Sequence, residues 1–156
     1  MQEKTCSFFG HKSFTNSEEL KKKLYYAIEH LITNKGVDTF LFGSQNFFDR
    51  FCLETVTKLK EKHPHIKRVY VRAEHPYIDD WYEKMLLEIF DETYYPEKII
   101  GAGRSVYVER NYEMIKRSRY CIVYYSESEA PKTRKSGTKI AVDHAQKAGK
   151  DIIFIK

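Results

Sequence analysis

Long apolar runs are missing from this sequence of 156 residues. No stretch of about 18 or more apolar residues is present to span a bilayer. The opening "MQEKTCSFFGHK" has no apolar segment ending in a small-residue cleavage site. The expectation is a cytoplasmic protein with no membrane partner. Cysteine is scarce: Cys6, Cys52 and Cys121 are far apart and show none of the paired spacings of a zinc site or a disulfide framework. They are expected to be reduced thiols packed as small apolar groups, and no metal is expected. A concentration of one charge is also lacking. The 27 basic and 22 acidic residues are interspersed, for a net charge of +5. That balance leans slightly towards a phosphate-bearing partner without separating a nucleotide from a nucleic acid. Neither GxGxxG nor GxxxxGK[ST] occurs, so nicotinamide dehydrogenase and P-loop NTPase readings lose their main support. With no internal repeat and no composition break, one domain over 1–156 is expected.

What is present is an alternation of two patterns. Short apolar runs at 5–11, 38–43, 66–74, 95–103, 120–125 and 151–156 read as six strands. Between them lie helical patterns. The first has Thr15 as N-cap with Glu18 completing a capping box, then Leu20, Leu24, Ala27, Ile28 and Leu31 at helical spacing and Gly36 as its stop. The second carries Phe48, Cys52, Val56 and Leu59 on one face, and others follow at 78–92, 108–118 and 138–150. Strands that are continuously apolar are covered on both faces. The fold class is therefore α/β, a three-layer α/β/α sandwich with a Rossmann-like, mostly parallel sheet of about six strands.

In such a sheet, ligands lie beyond the carboxyl ends of the strands. Three turns carry suitable residues at that edge: Gly10-His11, the segment from Gly43 and Ser44 to Asp49, and Ser136-Gly137-Thr138. Glycine lets a backbone approach closely, and first-turn N–H groups of a helix suit phosphate or carboxylate. Arg110 and Asn111 are expected to open the fourth helix, where a guanidinium can pair with phosphate and an amide can read a base or ribose edge; an N-cap plus a surface charge explains them equally well. Asp49 can accept from a ribose hydroxyl, whereas Glu54 shares no face with it and reads as solvated. His11 reads as a phosphate donor, an acid or a packed side chain. Tyr107, Tyr112, Tyr124 and Tyr125 suit stacking on a base as well as core or rim packing.

The segments "FFGH" (8–11), "GSQNFFD" (43–49), "RNYEMIKRSRYCIVYY" (110–125) and "SGTKIAVDHAQKAGKDIIFI" (136–155) together resemble the SLOG superfamily of Smf/DprA- and LOG-like Rossmannoid domains, most nearly its small YpsA-like members. The resemblance implies a Rossmann-like fold binding a nucleotide or nucleotide-derived ligand, with the final Gly-Thr turn facing phosphate. LOG-like enzymes cleave the N-glycosidic bond of nucleoside monophosphates, and similar domains sense signalling nucleotides. Two positions depart from the pattern. Gly43-Ser44-Gln45 stands where paired glycines are common, and Ala141 stands where LOG-like enzymes place a glutamate.

The expected function is a small nucleotide-binding module without a cofactor. Gly10, His11, Gly43, Ser44, Asp49, Arg110, Asn111, Ser136, Gly137 and Thr138 are its ligand residues. Lys132, Arg134 and Lys135 are expected to form a lid over the phosphate. Two readings stand beside it: a nucleoside monophosphate N-glycosidase with Asp49 as its catalytic carboxylate, and a DprA-like nucleic-acid-binding protein touching backbone through the same basic loop. A homo-oligomer is compatible with each.

Overall fold

The computed structural model describes residues 2–11, 17–125 and 136–155. Six strands, β1 (Thr5–Gly10), β2 (Thr39–Phe42), β3 (Lys67–Val71), β4 (Glu92–Tyr94), β5 (Tyr120–Tyr124) and β6 (Asp151–Phe154), alternate with five helices. The helices are α1 (Glu18–Lys35), α2 (Phe47–Lys62), α3 (Asp80–Ile89), α4 (Val106–Arg117) and α5 (Gly137–Lys147). All five strand pairings are parallel, in the order β4-β3-β2-β1-β5-β6. The chain steps outward from β1 to β4, then returns to the other side of β1 to lay down β5 and β6.

That reversal divides the helices between the two faces, as right-handed crossovers require. On one face Leu24, Ile28 and Leu31 of α1, Phe48, Cys52, Val56 and Leu59 of α2 and Leu86 of α3 pack on Phe8, Phe40 and Phe42. On the other, Met114 and Ile115 of α4 and Ala141, Val142 and Ala145 of α5 pack on Phe9, Leu41, Val69, Cys121 and Val123. The central strands are mostly apolar because neither side of the sheet meets water there. The three cysteines are free and buried, one on each of β1, α2 and β5. A buried hydroxyl pair, Ser7 Oγ to Ser118 Oγ at 2.6 Å, ties the end of α4 to β1. No helix among the described residues is long and apolar enough to cross a membrane.

Several expected boundaries move. Helix α1 is capped by Ser17, whose side chain accepts from the Leu20 N–H at 3.1 Å. Glu18 is therefore the first helical residue rather than the far corner of a capping box, and Thr15 lies outside the described residues. The expected strand at 95–103 is instead the three-residue β4, which ends before it. Pro96 has no N–H for a ladder, Glu97–Ile99 coil into a 3₁₀ turn, and Gly101 and Gly103 take positive φ values of 85° and 65°. The apolar signal came from Ile99, which plugs the core at 1% exposure. Such a short edge strand is held by side chains: Arg68 grips Asp91 through Nε (3.0 Å) and Nη2 (3.1 Å). Helix α4 begins at Val106, so Arg110 and Asn111 occupy its second turn and cannot cap it.

The first turn of α2 comes so close to the end of β1 that a Cβ built on Gly10 would lie 2.3 Å from the fully buried Phe48 ring. Gly10→Ala is therefore expected to cost about 1–3 kcal/mol by overpacking, measured by urea unfolding. A change below the error of that measurement would show that strand and helix can separate freely.

Candidate functional site

Where strand order reverses beside β1, the carboxyl edge of the sheet opens into a cleft of about 890 Å³. Its walls are Gly10 and His11 after β1, Gly43 to Asn46 after β2, Arg72 to His75 after β3, Tyr107, Arg110 and Asn111 of α4, and Ser136, Gly137 and Thr138 at the start of α5. Asp49 also lines it. All ten residues expected to hold ligand thus share one cleft. Glu54 is exposed and outside it, and Lys132, Arg134 and Lys135 lie outside the described residues. Of the four tyrosines, Tyr107 lines the cleft. Tyr112 stacks on His144 at 3.9 Å, joining α4 to α5, and Tyr124 stacks on Phe48 at 5.9 Å. Tyr125 packs against His11 at 4.9 Å.

After β2 the chain folds back on itself through side-chain bonds. Asn46 caps α2 by accepting from the Asp49 N–H at 2.9 Å, and its Nδ2 donates to the Gly10 carbonyl at 3.4 Å. Ser44 donates to Asp49 Oδ2 twice, from its N–H at 3.0 Å and its hydroxyl at 2.8 Å. Asp49 is 4% exposed, and burial pushes its carboxyl up to about 6, against the opposing pull of the Ser44 bonds and the nearby Arg110 charge.

Arg110 is buried as well, at 5% exposure. Its Nη1 donates to the carbonyls of Gly43 and, at 3.3 Å, Val71, and its Nε donates to Asn111 Oδ1 at 2.9 Å. The guanidinium therefore clamps the carboxyl ends of β2 and β3 together, leaving Nη2 without a hydrogen bond to any described residue. A Cβ on Gly43 would lie 2.8 Å from Arg110 Nε and from Met114 Sδ, so glycine there makes room for the clamp. Above it sits the Tyr107 ring, 5.8 Å from Cζ, and the Tyr107 hydroxyl donates to the Glu74 carboxylate at the rim.

The opposite wall is the start of α5. Ser136 caps it by accepting from the Lys139 N–H at 3.0 Å. The N–H groups of Gly137 and Thr138 belong to the first turn and have no intrahelical partner. A Cβ on Gly137 would meet nothing within 4 Å. No contact with a described residue requires this glycine, in contrast to Gly10 and Gly43.

Residues not singled out in the sequence also line the cleft, among them Gln45, Tyr70, Arg72, Glu74, His75 and Tyr82. Four lining positions, 72 to 75, follow β3 directly, and the rule that selected the turns after β1 and β2 applies to them equally; without glycine they lacked the usual sign of a ligand turn. Arg72 braces this segment from within, donating to the carbonyls of His75 (3.2 Å) and Pro76 (3.3 Å) and to Thr93 Oγ1 (3.1 Å). No group of three or more metal-ligating side chains occurs among the described residues.

The family model described as the YspA SLOG family matches residues 5–156. The chain belongs to this SLOG family. It is also similar to the SPbeta prophage-derived protein YoqJ of Bacillus subtilis (strain 168), with 30% identity over 146 residues, covering 83% of this chain and 81% of that protein. Within this SLOG member, the Gly-Thr turn of the motif is the Gly137-Thr138 wall of the cleft. Ala141, one turn further on, is 1% exposed and packs in the apolar cluster beneath α5.

The Asp49 shift predicts a pH signature. Its folded-state pKa of about 6 lies above the ordinary 3.8. The folded protein therefore holds the proton more tightly than the unfolded chain, and this contribution to stability is lost as pH rises through 6. Asp49→Asn removes the titration, so relative to the parent the variant should gain about 2–3 kcal/mol of stability between about pH 4 and about pH 7. Denaturant unfolding across that range checks it; parallel curves would mean that Asp49 ionises as it does in the unfolded chain.

Proposed function

We propose that the cleft binds a nucleotide or nucleotide-derived ligand, holding its phosphate at Gly137 and Thr138, and that this protein is a binding module rather than a hydrolase. One observation carries the reading. Among the described residues nothing pairs with the first-turn N–H groups at Gly137 and Thr138 or fills the space beside Gly137, in a cleft whose other glycines are accounted for by protein packing. Opposite this wall, the Tyr107 face and the Glu74 carboxylate suit a planar base or ribose hydroxyls. His11, Ser44, Asn111 and Ser136 line the same cleft and offer it polar groups, and Arg110 Nη2, which bonds no described residue, is a further donor from the buried clamp.

Asp49 is the focus of a second reading, cleavage of an N-glycosidic bond, because a buried carboxyl with a raised pKa in a cleft is a common mark of acid–base function. Two features weigh against it. Asp49 Oδ2 already accepts two bonds from Ser44, and Ala141 supplies no second carboxylate.

Mass spectrometry of small molecules released from the purified protein identifies the ligand, and calorimetric titration with that molecule tests its seat. Gly137→Val should weaken binding at least about tenfold, equivalent to ~1.4 kcal/mol, with an unchanged melting temperature. Undiminished affinity in the folded variant would remove the phosphate from this wall. Release of free base from nucleoside monophosphates, abolished by Asp49→Asn, would establish the hydrolase instead.

A further inference from the structure

Helix α3 buries one residue fully, Leu86, while Trp81 (69% exposed), Met85 (44%) and Ile89 (47%) face solvent at every fourth position. Residues four apart share a helix face, so these three form one apolar stripe. Tyr77, 87% exposed, stands just ahead of the helix at the same spacing. Leu87 is exposed too but falls outside the stripe at helical spacing. On the solvent flank lie Lys84 and Glu88, both exposed, and neither forms an ion pair within 4 Å with any described residue. Lysine four residues before glutamate is the weaker order for pairing within one helix, which leaves both charges available to a neighbour.

We propose that this stripe is the contact between two copies of the chain, with α3 packed antiparallel on α3 of the second copy about a two-fold axis at Met85. Such an axis sets Met85 on its own counterpart and Trp81 against Ile89 of the partner subunit. It also brings Lys84 beside Glu88 of the partner subunit, and symmetry repeats the pair. The row beside the stripe runs Asp80, Lys84 and Glu88, all exposed; Asp80 lies furthest round the helix from the stripe, and Lys84 and Glu88 are spaced to cancel when the helix meets itself in reverse. A strongly basic or acidic peptide would instead leave one of the two facing its own sign. The four apolar side chains offer on the order of 1,000 Å² of contact across two copies, at the lower end of specific interfaces. The dimer is accordingly a reversible one, and none of its contact residues lines the cleft.

Sedimentation velocity across the micromolar range tests the proposal, with tryptophan emission as a second readout because Trp81 is the one tryptophan in the sequence. The parent should dimerise with rising concentration, and its emission should move to shorter wavelength as the indole leaves water. Met85→Glu should abolish both effects while circular dichroism and melting temperature stay unchanged. Lys84→Glu should weaken the dimer at least about tenfold by setting like charges together, and the double variant K84E/E88K should recover it. A monomer at all concentrations, a dimer indifferent to Met85→Glu, or a charge-swapped pair that fails to recover would each overturn the proposal.

Discussion

The buried guanidinium of Arg110 is the constraint on which the cleft depends. A charge removed from water must be resolvated by the protein, and here the solvating groups are the carbonyls of Gly43 and Val71, which terminate two neighbouring strands. Satisfying the cation therefore fixes the carboxyl edge of the sheet. The same charge lies near Asp49, whose carboxylate fastens the turn after β2 through Ser44. Strand ends, turn and helix start are thus positioned by one polar network beneath the cleft, before any ligand arrives. This is the kind of preorganisation that lowers the entropic cost of binding.

The network also bears on the chemistry open to the site. A carboxylate that stabilises a developing positive centre has to present an oxygen to it. Asp49 commits one oxygen to two donors and sits within the reach of a fixed positive charge. Ala141 is pressed into the apolar cluster under α5, where an ionised side chain would lack partners.

Much of this was legible in the sequence, for identifiable reasons. Short, mostly apolar runs such as "TFLF" and "YCIVY", each set between helical patterns, read as strands covered on both sides, so the three layers followed from patterning. The turns after β1 and β2 and before α5 were marked by glycine. The segment after β3 carried no such mark, and its contribution arises from the position of its strand in the sheet, which a linear pattern does not encode. The fourth strand was misplaced because Ile99 is apolar for a tertiary reason, filling the core from a turn. Arg110 read as opening the fourth helix, as a phosphate ligand or as a cap with a surface charge, and nothing local reveals that the helix starts earlier or that two distant carbonyls converge on the guanidinium. The distinction among glycines, with Gly10 and Gly43 set by packing and Gly137 by no described residue, likewise required coordinates.

The two sides of the cleft differ in how deeply they are rooted. Gly43, Asp49 and Arg110 are tied to strand ends and buried helices, whereas Glu74 and His75 are exposed and belong to neither apolar cluster. Substitutions at the β3 wall can accumulate without disturbing the layers beneath, while the floor tolerates few. The cleft is thus divided into a floor whose side chains also hold the sheet together and a rim whose side chains do not.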